Sequence, residues 1–298
     1  SYALKAAVSA ALIWYFVSKI DFARSIEVVR GADPVLFLAS VLIVAVAWAL
    51  TSWRWQQVLS LVGVSVAMPR LFLYNLIGNF YGIVLPGGKL SGDLVCAYRF
   101  TRDVSGKRYE KRYFLSVIGD RSLGVLTVTA LLTLYFIAGH PAAVAAFGAH
   151  TLSLGLMLVS ASMIGFTALF SDMFDGMLRL IGRVPVVHTQ SAAHALAASL
   201  AAVRRNRART LTAIAVSVVS MIANILSIEV LARAVGLTLG PLTVGFAYLA
   251  ATLLVSIPVT LAGVGLREGG MVFLLSAAGA DIPRAAAVSI LALAVFVL

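Results

Sequence analysis

The sequence has few charged residues, few acidic residues and almost no cysteine. Only 12% of its 298 residues are charged, whereas soluble domains carry roughly 25%. Asp and Glu together number 12, and 61% of the residues are hydrophobic, which gives a mean hydropathy of +1.00. This composition excludes a soluble globular domain. It also excludes intrinsic disorder, which requires low hydrophobicity.

Cys96 is the single cysteine, which excludes a disulfide framework, a CxxC motif and a thiolate metal cluster. The four histidines are scattered and lack the i,i+4 pairing of a helical metal site. No nucleophile or metal-ligand constellation is visible in the sequence. We therefore expect no metal, no cofactor and no catalytic residue, and we expect that the chain is not an enzyme.

Apolar stretches near the roughly 20 residues that span a bilayer recur along the chain. They predict an all-α, polytopic membrane protein, with residues 1–298 forming a single transmembrane domain of about six full spans. The last stretch reaches the end of the sequence, so we expect a chain cut short at its C-terminus. The predicted spans are Ala3–Ile20, Val35–Ser52, Tyr113–Ile137, Thr151–Phe170, Thr210–Ala232 and Ala285–Leu298.

Two further apolar segments, Leu71–Pro86 and Leu242–Ala262, are interrupted by Gly and Pro. Broken backbone at membrane depth is tolerated only where it is buried in protein or lines a cavity, so we interpret both as re-entrant segments. Paired broken segments in corresponding positions are typical of the two inverted halves of a transporter. The halves would be residues 1–137 and 151–298, and two unrelated kinked helices are the alternative. The predicted hinges are Pro86, Gly92, Pro258, Gly263 and Gly265.

The net charge of +11 comes from 23 Lys and Arg against 12 acidic residues. In the predicted topology, loops 54–70, 99–112 and 171–209 hold 14 Lys or Arg, while the opposite loops hold 3. The positive-inside rule places the basic loops, 99–112 and 171–209 above all, in the cytoplasm. Such loops orient a membrane protein and attract anionic lipid, so we expect no nucleic-acid partner.

Charged side chains inside the apolar regions are the candidates for function. Asp120 and Arg121 lie in the span that begins at Tyr113, and Arg267 and Glu268 follow the second broken segment. Each charge costs about 2.5–3.5 kcal/mol at the centre of a membrane helix. Adjacent helical residues point about 100° apart, so Asp120 and Arg121 each need a separate partner. The alternative to function is a set of structural ion pairs.

Several motifs together resemble the transmembrane family of lysylphosphatidylglycerol synthases, which includes stand-alone, flippase-like members. The most specific of them is IPVTLAGVGLREGG at Ile257–Gly270, followed by IGDRSLG at Ile118–Gly124. The others are Asn75-x-x-x-Asn79 and LPGGKLSGD at Leu85–Asp93. The resemblance implies a polytopic protein of the bacterial cytoplasmic (inner) membrane that moves a lipid or a lipid-linked headgroup between leaflets.

The chain departs from the family pattern in two respects. Relatives often have a basic residue shortly after the Gly-Asp pair, where this chain has Cys96 and only later Arg99, so the resemblance does not carry the headgroup selectivity of relatives over to this chain. A soluble aminoacyltransferase domain is also missing from the sequence. We therefore do not expect this chain itself to synthesise an aminoacyl lipid.

The sequence thus predicts a lipid translocase whose headgroup enters a polar cavity where the two broken segments meet. Arg121 and Arg267 would bind the phosphate of an anionic phospholipid or a polyprenyl-phosphate-linked headgroup. Asp120 and Glu268 would pair with these arginines in the empty site or meet a cationic part of the headgroup. The predicted substrate-binding residues are Asn75, Asn79, Asp93, Asp120, Arg121, Arg267 and Glu268.

Two other classes of function stay open at this point. The chain could be a membrane subunit or partner of an enzyme that acts on lipid-linked sugars or aminoacyl lipids, because paired carboxylates can do acid–base work. It could also be a scaffold for a partner enzyme, in which the charges serve only packing. The sequence leaves open whether it assembles with copies of itself or with a partner enzyme.

Overall fold

The fold is known from a computed structural model. It describes residues 21–61, 63–85, 89–104, 110–137, 157–161, 164, 205–256 and 266–297. Every regular element in these ranges is a helix, and the protein is an all-helical, multi-pass membrane protein, as predicted. Nine helices have defined bounds in this part of the chain: α1 Phe22–Arg30, α2 Pro34–Leu61, α3 Met68–Val84, α4 Lys89–Val104, α5 Glu110–Ile137, α6 Arg207–Ala234, α7 Pro241–Ser256, α8 Leu266–Ala277 and α9 Ile282–Val297.

Three of these helices are long and apolar enough to cross a membrane, namely α2, α6 and the Gly119–Ile137 part of α5. They correspond to three of the six predicted spans. The helix α9 is apolar but shorter. The predicted span at residues 3–20 lies outside the described residues, and so does most of the one at 151–170.

The helices α2 and α6 pack antiparallel along their length. The backbone N–H of Asp33, just before α2, donates to the carbonyl of Ala234 at the end of α6, at 2.9 Å. Further along, the hydroxyls of Ser40 and Ser227 share a hydrogen bond of 2.8 Å. Small residues on the buried faces, such as Ala47, which is fully buried, let two membrane helices approach closely. This helix pair forms the centre of the fold.

Helix α6 and the turn after it repeat the length and the turn conformation of α2. Both helices have 28 residues, and their first residues are 173 positions apart (207 minus 34). Each is followed by a glycine with positive φ, Gly63 at 76° and Gly236 at 69°, a conformation that glycine adopts without steric cost. The next helices, α3 and α7, also begin 173 positions apart (241 minus 68). Antiparallel α2 and α6 are what inverted halves require, and the limits 1–137 and 151–298 stay a prediction.

The first broken segment is a helical hairpin. Helix α3 ends at Val84, and α4, which begins at Lys89, packs antiparallel to it, so that the Cys96 thiol on α4 donates to the Tyr74 carbonyl on α3 at 3.0 Å. A Cβ on Gly92 would overlap the carbonyl oxygen of Gly78 and lie 2.9 Å from the Gly82 nitrogen. Only glycine at position 92 permits this crossing. Gly92, one of the predicted hinges, thus lies within α4 at this crossing, while Pro86 lies outside the described residues.

The second broken segment also consists of two packed helices, α7 and α8. Gly270 of α8 faces Ala251 of α7, where an added Cβ would lie 3.7 Å from the Ala251 Cβ. The connection at 257–265 is outside the described residues, and with it Pro258, Gly263 and Gly265. Where the sequence predicts one kinked segment up to residue 262, the structure ends α7 at Ser256 and starts α8 at Leu266.

Helices extend into three of the predicted loops. Residues 22–30 of the predicted loop 21–33 form α1, which begins where the Asp21 carboxylate accepts from the Arg24 N–H at 3.1 Å, a side-chain N-cap. Residues 99–104 belong to α4, and α2 continues past Ser52 to Leu61. The charge of Arg54 does not end α2, because a partner neutralises it inside the protein.

Candidate functional site

Arg54 of α2 and Asp120 of α5 form a buried, two-pronged ion pair. The Nε–Oδ1 distance is 2.7 Å and the Nη2–Oδ2 distance is 2.9 Å. Each side chain is only 7% exposed. Parallel N–H···O bonds of this kind fix the relative orientation of the two groups as well as neutralising them.

The third arm of the Arg54 guanidinium reaches α6. Its Nη1 donates to the Ser217 hydroxyl at 2.9 Å, and Ser217 shares a 2.7 Å hydrogen bond with the Thr127 hydroxyl of α5. One arginine therefore connects α2, α5 and α6. Sequence reasoning missed Arg54, Ser217 and Thr127. The available signal was Arg54 itself, a charge between Trp53 and Trp55 at the end of an apolar run.

Arg121, which follows Asp120 on α5, pairs with a residue of a different helix. Its Nη2 lies 2.6 Å from Oδ1 of Asp93 on α4, and its Nε donates to Oδ2 at 3.3 Å. The side chains are 36% and 17% exposed, so this pair is much more accessible than the Arg54 pair. Asp120 and Arg121 thus have separate partners, as their 100° separation on the helix predicts.

A small polar cavity lies where the hairpin meets α2 and α5. Its volume is about 20 Å³, which is room for about one water molecule and too little for a lipid headgroup. Asn75 at its edge donates to the Ser52 hydroxyl at 2.9 Å. The cavity brings together four of the predicted substrate-binding residues, and its lining includes Asn75, Cys96, Asp93, Asp120 and Arg121.

Arg267 and Glu268 of α8 lie apart from this cavity and pair with each other. The Arg267 Nη2 and Nε donate to Oε1 of Glu268 at 2.9 and 3.1 Å, and the side chains are 23% and 18% exposed. The expectation that acidic residues pair with the phosphate-binding arginines agrees with this pair. It is wrong for Asp120, because both oxygens of its carboxylate accept from Arg54 rather than from Arg121.

Phe296 connects Arg267 to the first hairpin. The Arg267 guanidinium carbon lies 4.9 Å from the centre of the Phe296 ring, within the range of a cation–π contact. The Phe296 carbonyl accepts a hydrogen bond from the amide of Asn79 on α3 at 2.7 Å. The Phe296 ring also stacks on Tyr248 of α7 with an interplanar angle of 3°. The two broken segments thus meet through α9.

A second, more open cavity of about 380 Å³ adjoins α3, within the size range of small-ligand sites. Its lining includes Trp48, Asn79, Phe80 and Arg99. The first arginine after the Gly-Asp pair therefore faces this cavity, while Cys96 faces the small one. Within the described residues, no three His, Cys, Asp or Glu lie close enough together to hold a metal ion.

Comparison with known proteins agrees with the features just described. A family model described as the lysylphosphatidylglycerol synthase TM region matches residues 2–297, nearly the whole chain. The chain belongs to this family. The match confirms the resemblance seen in the motifs, and it includes the long helices, both broken segments and the buried charges of this family member.

A curated relative is a UPF0104 membrane protein of the archaeon Pyrococcus horikoshii. The two proteins are 25% identical over 126 residues, which cover 42% of this chain and 36% of the relative. The chain thus matches about a third of the length of that protein. Its name describes it only as a membrane protein.

Proposed function

We propose that this family member is a lipid translocase that moves a phosphate-bearing lipid headgroup between the leaflets of a bacterial cytoplasmic membrane. The proposal agrees with membership of a family named after a lipid synthase. The observation that carries it is the accessible Arg121–Asp93 pair at a polar cavity among apolar helices. The basic loops 99–112 and 171–209 would face the cytoplasm.

Arg121 is suited to recognise a phosphate. A guanidinium presents its N–H donors in a planar fork that matches phosphate oxygens as well as it matches a carboxylate. In the present conformation Asp93 occupies that fork, with one 2.6 Å contact. An arriving phosphate would replace the Asp93 carboxylate on Arg121, and Asp93 would become available to a cationic part of the headgroup.

The size of the cavity indicates how the replacement would proceed. A volume of about 20 Å³ holds no headgroup, so the Arg121–Asp93 pair has to part before one enters. Asp93 belongs to the hairpin and Arg121 to the long helix α5. Movement of the hairpin away from α5 would open the cavity and expose Arg121, and its return would restore the pair.

Arg267 and Glu268 would form the corresponding site on the second broken segment. Both side chains keep about a fifth of their surface exposed, and the pair likewise presents an arginine held by a carboxylate. A charged site on each broken segment would lower the cost of carrying a headgroup across the hydrocarbon, where unpaired charges are expensive. The acyl chains would stay in the bilayer.

Leaflet exchange of fluorescent lipids in proteoliposomes tests the proposal. We expect headgroup-selective exchange by the wild type and its loss in Arg121→Gln and Arg267→Gln. The control is Arg284→Gln, because Arg284 forms an exposed surface pair with Asp281 at 3.5 Å. Wild-type exchange by folded Arg267→Gln protein would contradict the assignment of that residue.

The same assay tests the competing hypothesis of a membrane subunit for an enzyme of lipid-linked sugars or aminoacyl lipids. We propose no catalytic role for this chain, so exchange should need neither a sugar donor nor a partner. Exchange that appears only with a co-expressed enzyme would contradict the translocase proposal and favour the subunit.

A further inference from the structure

We infer that Arg54 sets the charge selectivity of the cavity without lining it, by keeping the Asp120 carboxylate neutralised beside Arg121. This inference rests on the proposed function, because it concerns the same headgroup site. The sequence gives Arg54 no role, and it is absent from the motifs that identify the family. The argument depends on four charges and their geometry.

The cavity is lined by two carboxylates and one guanidinium. Asp93, Asp120 and Arg121 contribute to its wall, and Arg54 does not. Taken alone, the three lining groups have a net charge of −1. Arg54, which binds Asp120 from behind at 2.7 and 2.9 Å, brings the sum of the four charges to zero.

The Arg54–Asp120 pair should stay intact when a phosphate replaces Asp93 on Arg121. Both of its side chains are 7% exposed, against 36% for Arg121. All three guanidinium nitrogens of Arg54 donate hydrogen bonds, two to Asp120 and one to Ser217. A buried pair of this kind is costly to break because it leaves an uncompensated charge. Arg54 therefore holds Asp120 when a phosphate displaces Asp93 from Arg121.

Without Arg54, the Asp120 carboxylate would act on the cavity directly. Its charge would lie one residue from Arg121 in a poorly solvated place, where the interaction between charges is much stronger than in water. It would repel an incoming phosphate and compete with it for Arg121. Arg54 is thus a positioning residue that acts on selectivity through Asp120.

The test measures binding of two short-chain lipids to the purified protein, dihexanoyl-phosphatidylglycerol as the anionic probe and dihexanoyl-phosphatidylcholine as the zwitterionic one. The readout is the ratio of the two affinities. We expect Arg54→Gln to shift this ratio against the anionic lipid by about tenfold, which corresponds to about 1.4 kcal/mol. Arg284→Gln removes the same charge from an exposed surface pair and should leave the ratio unchanged.

Two further variants separate charge from folding. Arg54→Gln combined with Asp120→Asn removes both charges and should restore the wild-type ratio. Asp120→Asn alone leaves one extra positive charge, so the ratio should shift toward the anionic lipid. A merely structural Arg54 would lower stability in all these variants without moving the ratio in opposite directions.

An unchanged ratio in folded Arg54→Gln or Asp120→Asn protein would overturn the inference. Wild-type protein that exchanges lipid in vesicles but binds neither probe would overturn it as well. Selective binding that follows the expected pattern in a protein without leaflet exchange would instead overturn the proposed function and leave the role of Arg54 standing.

Discussion

Asn79 and Phe296 are 217 positions apart in the chain, and the amide of the first donates to the carbonyl of the second at 2.7 Å. Because the acceptor is a backbone group, this contact depends on where α9 lies and not on the side chain at position 296. The side chain of Phe296 has a separate role under the guanidinium of Arg267. The two contacts can therefore be removed one at a time.

The first prediction concerns the contact between the Phe296 ring and Arg267. Phe296→Leu should lower the free energy of unfolding by removing the cation–π contact, while the Asn79 hydrogen bond remains. A double-mutant cycle of Phe296→Leu and Arg267→Gln, read from unfolding in mixed micelles, should give a coupling energy of about 0.5–2 kcal/mol. Additive effects of the two substitutions would show that the ring and the guanidinium do not interact.

The second prediction concerns the buried pair of Arg54 and Asp120. Replacing one partner, as in Arg54→Met, leaves a buried charge and should lower the free energy of unfolding by about 3–5 kcal/mol. Adding Asp120→Leu removes that charge and should recover much of the loss. The measurement is the unfolding equilibrium of the three variants in mixed micelles.

The control for this prediction is the Asp281–Arg284 pair, whose side chains are 46% and 49% exposed. Asp281→Asn should change the free energy of unfolding by no more than about 1 kcal/mol, as is usual for exposed pairs. If Arg54→Met combined with Asp120→Leu is less stable than either single variant, the unpaired buried charge is not the cause of the lost stability.

The third prediction concerns the hairpin crossing. Gly92→Ala should lower the melting temperature strongly, because the added Cβ meets backbone atoms of Gly78 and Gly82, which cannot move aside separately. Gly78→Ala meets only the Cys96 sulfur, at 2.8 Å, so Gly78→Ala combined with Cys96→Ala should be more stable than Gly78→Ala alone. Thermal unfolding in detergent distinguishes these variants.

Gly31→Ala is the matched control for the crossing, because a Cβ there would have ordinary contacts of 3.6 Å or more and its φ is −85°. It should unfold at nearly the wild-type temperature. If Gly92→Ala also unfolds at that temperature, α3 and α4 do not cross as closely as the structure has them.

The fourth prediction concerns Ser217. Ser217→Ala removes the acceptor of the Arg54 Nη1 donor and the partner of Thr127. Leaving a buried donor unsatisfied costs about 1–3 kcal/mol, and more for a charged group. Thr212→Ala is the control on the same helix, because its exposed hydroxyl bonds only to the carbonyl of Ala208. Equal unfolding free energies for the two variants would contradict this role of Ser217.

Hydropathy and the Gly and Pro interruptions were sufficient to predict the helical membrane class, three of the long helices and the position of both broken segments. The separate partners of Asp120 and Arg121 were also predicted, from the 100° between adjacent residues of an α-helix, although the adjacent Arg267 and Glu268 of α8 do pair with each other. Which partners Asp120 and Arg121 have does not follow from the sequence. Asp93 and Arg54 reach α5 from other helices, and pairing between distant segments has no local signal.

The limits of α2 show the same difficulty. A charged residue normally argues against a span, so the sequence ended this helix at Ser52, whereas it continues to Leu61. Arg54 is compatible with the apolar surroundings only because Asp120 and Ser217 meet it there. The hydrogen bond of Asn79 to a backbone carbonyl of α9 was equally inaccessible, since it leaves no pattern in the sequence.

The antiparallel contact of α2 and α6 bears on which parts of the protein can move. Hydrogen bonds join the two helices at three positions along their length, between Asp33 and Ala234, Ser40 and Ser227, and Arg54 and Ser217. Rocking one half of the protein against the other would slide α2 along α6 and break these three hydrogen bonds together. In the proposed translocation, an outward swing of the α3–α4 hairpin would leave this contact intact while it separates Asp93 from Arg121. The α2–α6 pair would then be the stationary part of the protein, and the α3–α4 hairpin would be the part that opens.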